Sequence, residues 1–122
     1  MLQFEELRLN LEAMKPDIDD LASALGLAQM KSEIQQLENR AAEPGFWDDL
    51  ENSQKVLQET KSLERKIEKF NKLNGQLEDV ITLIELSIEE DDESSVEEIK
   101  AEAEDFRKKL EEEKLSTLLT GE

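Results

Sequence analysis

Apolar positions recur at alternating four- and three-residue steps through the middle of the chain: Val56, Thr60, Leu63, Ile67, Phe70, Asn74, Leu77, Ile81, Ile84 and Ile88. That spacing draws one narrow stripe along a helix, the a/d seam of a heptad repeat. Only Thr60 and Asn74 interrupt its apolar character. A single stripe must be covered by another helix, so the pattern predicts helix-on-helix packing with a charged exterior. The helix is expected over 49–90, roughly 60 Å at about 1.5 Å per residue. Asn74-Gly75 falls near its middle. Glycine costs about 1 kcal/mol against alanine in a helix, but the seam stays in phase on both sides, which predicts a local bend rather than a break. Asn74 at a seam position can fix the register of pairing.

The flanking segments carry seams of their own. Phe4, Leu7, Leu11, Met14, Ile18, Leu21 and Leu25 keep the 3-4 spacing straight through Pro16. Two readings compete: one kinked helix over 2–24, or a helix that ends near Lys15 and restarts with Pro16 in its first turn, where proline is tolerated. The unbroken register favours the kinked helix. Gly26 then shifts the phase, as a helix C-terminal glycine does. A short helix follows over 27–42 with Leu27, Met30, Ile34, Leu37 and Ala41 on one face. Pro44-Gly45 marks a turn, after which Asp48 or Asp49 can cap the long helix. Phe46 and Trp47 precede that cap, where an apolar residue can staple the chain to the first helical turn. They are expected to plug the end of the bundle; the alternative is an exposed contact surface.

The last helix is expected over 95–118. Ser94 or Ser95 can cap it, and Ser95 with Glu98 has the spacing of a capping box. Val96, Ile99, Ala103, Phe106 and Leu110 form the seam, which fades near Lys114 into Leu115, Leu118 and Leu119. The short acidic loop 91–95 makes this helix the antiparallel neighbour of the long one, with Phe106 packing on the long seam. The expected fold is all-α: an antiparallel helical bundle with a long helical hairpin of coiled-coil type, in a single domain, 1–122.

Charge narrows the functional classes. The net charge is −17, from 32 acidic and 15 basic residues, and neither histidine nor cysteine occurs. Thiol nucleophiles, disulfides, imidazole or thiolate metal sites and a histidine base are therefore excluded. The basic residues alternate with glutamates on the predicted helices, which suits solvated faces with i,i+4 pairs rather than a phosphate-binding stripe. There is no phosphate loop, zinc spacing or nucleophile elbow. The acidic run 89–93 lacks the glycine and spacing of an EF-hand. No catalytic, cofactor-binding or metal-ligating residue is expected; no apolar run reaches membrane length, and no signal pattern follows Met1. A cytoplasmic binding module with no cofactor, no membrane partner and no direct nucleic-acid binding is the expected class. Its structural or interaction candidates are Phe46, Trp47, Asn74 and Phe106.

The run Glu43-Pro44-Gly45-Phe46-Trp47-Asp48-Asp49 resembles an acidic Pro-x-Phe-Trp turn of the bacterial class-I peptide chain release factors. Leu77-Glu78-Asp79-Val80, Leu83-Ile84-Glu85-Leu86, Glu89-Glu90-Asp91-Asp92-Glu93 and Leu118-Leu119-Thr120-Gly121-Glu122 resemble segments that follow in the same order there. The Phe-Trp turn is similar to the factor 2 branch rather than factor 1. The resemblance implies the N-terminal helical domain, ending before the decoding and catalytic parts. The family's Gly-Gly-Gln and Ser-Pro-Phe motifs do not occur in this sequence, so no catalytic residue carries over. It further implies a role in translation termination, contact with a ribosomal protein at the stalk base near the GTPase-associated region, and interplay with the class-II release-factor GTPase. The alternatives are the same domain of factor 1 and, from another class, an acidic coiled-coil scaffold or prefoldin-like chaperone with no link to the ribosome.

Overall fold

The computed structural model describes residues 2–120. It is all-α: helices α1 (Leu2–Glu12), α2 (Lys15–Leu25), α3 (Leu27–Ala41), α4 (Leu50–Glu89) and α5 (Val96–Thr120), with a 3-10 turn at Phe46–Asp48. Two compact units divide the chain. One contains α1, α2, α5 and the part of α4 from Asn71 onward; the other is Gly26–Phe70.

The single kinked helix favoured over 2–24 is corrected to two helices. Pro16 offers no N–H, and its ring would collide with the carbonyl four residues earlier. The backbone tightens instead: Met14 N–H donates to the Leu11 carbonyl at 3.0 Å and Asp17 N–H to that of Met14 at 3.1 Å. Ile18 N–H then resumes the four-residue step onto Met14 at 3.2 Å. Pro16 thus falls in the first turn of α2, where its missing donor has no partner to lose. The seam survives the break, with Phe4, Leu11, Ile18 and Leu21 buried. Gly26, at φ 70°, ends α2 in the left-handed conformation that a side chain rarely adopts.

α4 runs through Asn74-Gly75 without interruption. A Cβ added at Gly75 would meet nothing within 4 Å. Gly75→Ala is therefore expected to stabilise the protein by about 0.5–1 kcal/mol. The check is a higher urea midpoint with an unchanged slope. The expected seam is buried at Val56, Phe70, Leu77, Ile81 and Ile84, and half-buried at its remaining positions. Leu73 and Val80 are buried as well. This added row widens the stripe beyond what one partner helix covers, as suits a helix that shares a unit with α1, α2 and α5.

α5 packs against α1 and α2. Lys114 Nζ reaches Asp17 Oδ2 of α2 at 3.3 Å. The expectation that the α5 seam fades into Leu115, Leu118 and Leu119 is corrected. The 3-4 step continues from Leu110 to half-buried Glu113 and buried Thr117, and all three leucines are exposed. Helical geometry selects the buried face, whatever residues occupy it.

The loop before α5 also differs from expectation. Among the described residues, no side-chain bond joins Ser95 and Glu98 in a capping box. α4 closes instead in a Schellman motif: Asp92 N–H donates to the Ser87 carbonyl at 2.9 Å, and Asp91 N–H to that of Ile88 at 3.1 Å. Asp91 takes the left-handed position at φ 52°. Asp92 Oδ1 then accepts the Ser94 N–H at 2.9 Å. That bond holds the Asp92 carboxyl below its ordinary pKa.

Candidate functional site

The junction between α3 and α4 lies within the second unit and holds two of the candidate residues. The turn begins with Glu43 N–H donating to the Arg40 carbonyl at 3.1 Å. Gly45 follows at φ 80°, a conformation that disfavours any side chain. Asp48 N–H closes back onto the Gly45 carbonyl at 3.0 Å. Asp49 Oδ1 accepts the Asn52 N–H at 3.1 Å, so Asp49 is the cap of α4.

This geometry splits the aromatic pair. Phe46 turns inward and joins Leu37 and Val56 in the core of the unit, flanked by Ala41 and Leu63. Trp47 turns outward and is 62% exposed. The expectation that both plug the bundle end is thereby corrected for Trp47. Adjacent residues of a 3-10 turn point in different directions, so a single core can take only one of them. The indole remains braced, because its ring stands edge-on to Phe46 with centroids 5.0 Å apart at 88°. Leu50, three residues on, is 64% exposed. Leu57 lies two turns further along the same helix face and is also exposed. Between Arg40 and Lys55 every charged residue is acidic: Glu43, Asp48, Asp49 and Glu51, all of them exposed.

The other two candidates belong to the first unit. Phe106 has no exposed surface at all and anchors the α5 seam. Asn74 is half-buried, and among the described residues its side chain makes no hydrogen bond. Gln76, which the seam did not single out, supplies a polar cross-link between α4 and α5. Its Nε2 donates to Glu102 Oε1 and Asp105 Oδ2, both at 2.9 Å. The one signal for it lies on α5: Glu102 and Asp105 share a face at i,i+3, and two like charges so placed favour a shared donor.

The Gln76 bond, followed by Lys109 at 2.9 Å, holds the Asp105 carboxyl below its ordinary pKa. Arg107 does the same to Glu104 through contacts of 2.6 and 2.9 Å. Asp17 in turn raises Lys114. A carboxyl with a depressed folded pKa contributes stability that is present above the ordinary carboxylate range, about pH 4. That contribution is lost as the pH falls through the folded value. In an NMR titration Asp105 is expected to titrate below an ordinary aspartate, and Gln76→Leu is expected to move it upward. An unmoved Asp105 in that variant would contradict the bond.

These pairs lie on the surface, where solvent and ions screen them and each contributes little. Self-repulsion at net charge −17 acts against them. Salt screens both terms, and the larger decides; the melting midpoint is expected to rise from low to roughly physiological ionic strength. A midpoint that falls would show that the pairs dominate. Among the described residues there is no His/Cys/Asp/Glu cluster able to hold a metal and no helix long and apolar enough to cross a membrane.

Comparison with known proteins adds to this geometry. The PCRF domain matches residues 30–122. A peptide chain release factor 2 of Clostridium perfringens is 35% identical over 122 residues, covering all of this chain and 33% of that protein. One of Staphylococcus saprophyticus is 28% identical over 98% of the chain and 32% of its own length. One of Streptomyces avermitilis is 32% identical over 92% of the chain and 30% of its own length. The chain thus spans about a third of the curated relatives it matches. No solved structure matches it.

Proposed function

Because the chain belongs to the PCRF domain family, we propose that residues 1–122 act as the N-terminal helical domain of a factor 2 type peptide chain release factor in translation termination. The observation that carries this reading is likeness along the entire chain to a protein named peptide chain release factor 2. The Phe46-Trp47 turn favours factor 2 over factor 1. The chain itself is not an enzyme: it contains no Gly-Gly-Gln, no histidine and no cysteine. In a release assay on stalled ribosomes, the chain alone is expected to free no peptide.

The role that remains is contact. An acidic helical surface is repelled by bare rRNA and attracted to a basic protein. Charge thus favours a basic protein as partner, and the resemblance to release factors implies that it is a ribosomal protein of the stalk base, close to where the class-II release-factor GTPase works, in the cytoplasm. Contact by this domain alone is weak. In a full-length factor the other parts would hold it at high effective concentration, so little intrinsic affinity is needed. The free chain is expected to bind with Kd of about 100 µM to 1 mM. An NMR titration of labelled chain tests this, first with the purified stalk-base protein and then with naked rRNA of the same region. Shifts with the protein and none with rRNA are expected; the reverse would overturn the assignment.

A further inference from the structure

We propose that the α3–α4 junction is a docking knob, in which Trp47 and Leu50 enter an apolar pocket on a basic protein surface. The proposal rests on the reading above and assigns its contact to particular residues. Three observations support it. Trp47 stays exposed beside Phe46, which fills the core of the same unit. Tryptophan is the residue type most often found as an anchor of binding energy at interfaces. The anchor is also held in place before binding. The indole is braced edge-on by Phe46, the 3-10 turn is closed by backbone bonds, and Asp49 caps α4. A side chain fixed in this way loses little conformational freedom on docking.

The third observation is charge, which selects the partner. Glu43, Asp48, Asp49 and Glu51 surround the two apolar side chains in sequence, with no basic residue between Arg40 and Lys55. A second copy of the same surface would bring acid against acid, and rRNA would bring phosphate. A lysine- and arginine-rich protein surface completes the rim and leaves the apolar centre to be desolvated. The exposed leucines at the end of α5 lack this arrangement: Lys114 precedes them, and no acidic residue stands between Leu115 and Leu119.

Trp47 is the only tryptophan of the chain, so 15N-labelled protein reports the knob through a single indole signal. The experiment titrates the stalk-base protein into wild-type chain, into Trp47→Ala and Leu50→Ala, and into Leu118→Ala as a control on another exposed leucine. The indole signal is expected to shift with the wild type. Trp47→Ala is expected to weaken binding about tenfold and Leu50→Ala by a smaller factor, while Leu118→Ala leaves it unchanged. Asp48→Asn with Glu51→Gln is expected to weaken binding and flatten its salt dependence. Amide shifts elsewhere with a stationary indole would overturn the knob and leave the functional reading in place, as would full affinity in Trp47→Ala. An indole that shifts only with the chain's own concentration would assign the surface to self-association. Wild-type chain with no response to the protein would overturn the functional reading, and the knob with it.

Discussion

Phe106→Ala should cost about 3–5 kcal/mol of folding free energy, which is what removal of a fully buried phenylalanine costs in a core that cannot collapse around the gap. The ring has no exposed surface. It lies midway along the run Ile99, Ala103, Phe106 and Leu110, all buried, on the helix that packs against both α1 and α2. Truncation would remove apolar area and leave a void lined by helices held apart by their other side chains. A stability of about 5–15 kcal/mol is usual for a domain, so the variant should sit close to the unfolding threshold. Urea unfolding checks this, and a loss below about 0.5 kcal/mol would contradict the placement of α5. A substitution at exposed Leu119, further along the same helix, should change stability by less than about 0.5 kcal/mol.

Phe46→Ala and Trp47→Ala should separate sharply despite being adjacent aromatic residues. Phe46 lies in a small core with Leu37 and Val56. Its truncation is expected to cost about 3 kcal/mol, the lower end for phenylalanine, since a thin core leaves its rim wet. Trp47 is 62% exposed. Its truncation removes little more than the edge-on contact with Phe46, about 0.5–1 kcal/mol. Equal losses would mean that the turn does not divide the pair as described. The contrast also protects the binding test, because Trp47→Ala should remain folded while it loses the knob.

Periodicity made the helices legible before any coordinates. The 3-4 spacing from Val56 to Ile88 placed a helix over 49–90, and α4 is Leu50–Glu89. The phase shift at Gly26 and the Pro44-Gly45 turn bounded α3 for the same reason: each is a local demand of the backbone, and local demands are written in neighbouring residues. Asp49 was readable as one of two possible caps because capping reaches only three residues along the chain.

Other features required the neighbours. Pro16 was compatible with a kink or a break, and only the hydrogen bonds around Met14 decide for two helices. The burial of Leu73 and Val80 follows from a helix that shares its unit with several others, a number that no single seam encodes. Gln76 bonds to residues 26 and 29 positions away, beyond the reach of any periodic pattern. The pair Phe46-Trp47 states it most plainly. Composition and position marked both as apolar residues beside a cap. Which of them faces water depends on where the core lies, and a core exists only once Leu37 and Val56, far apart in the chain, have met.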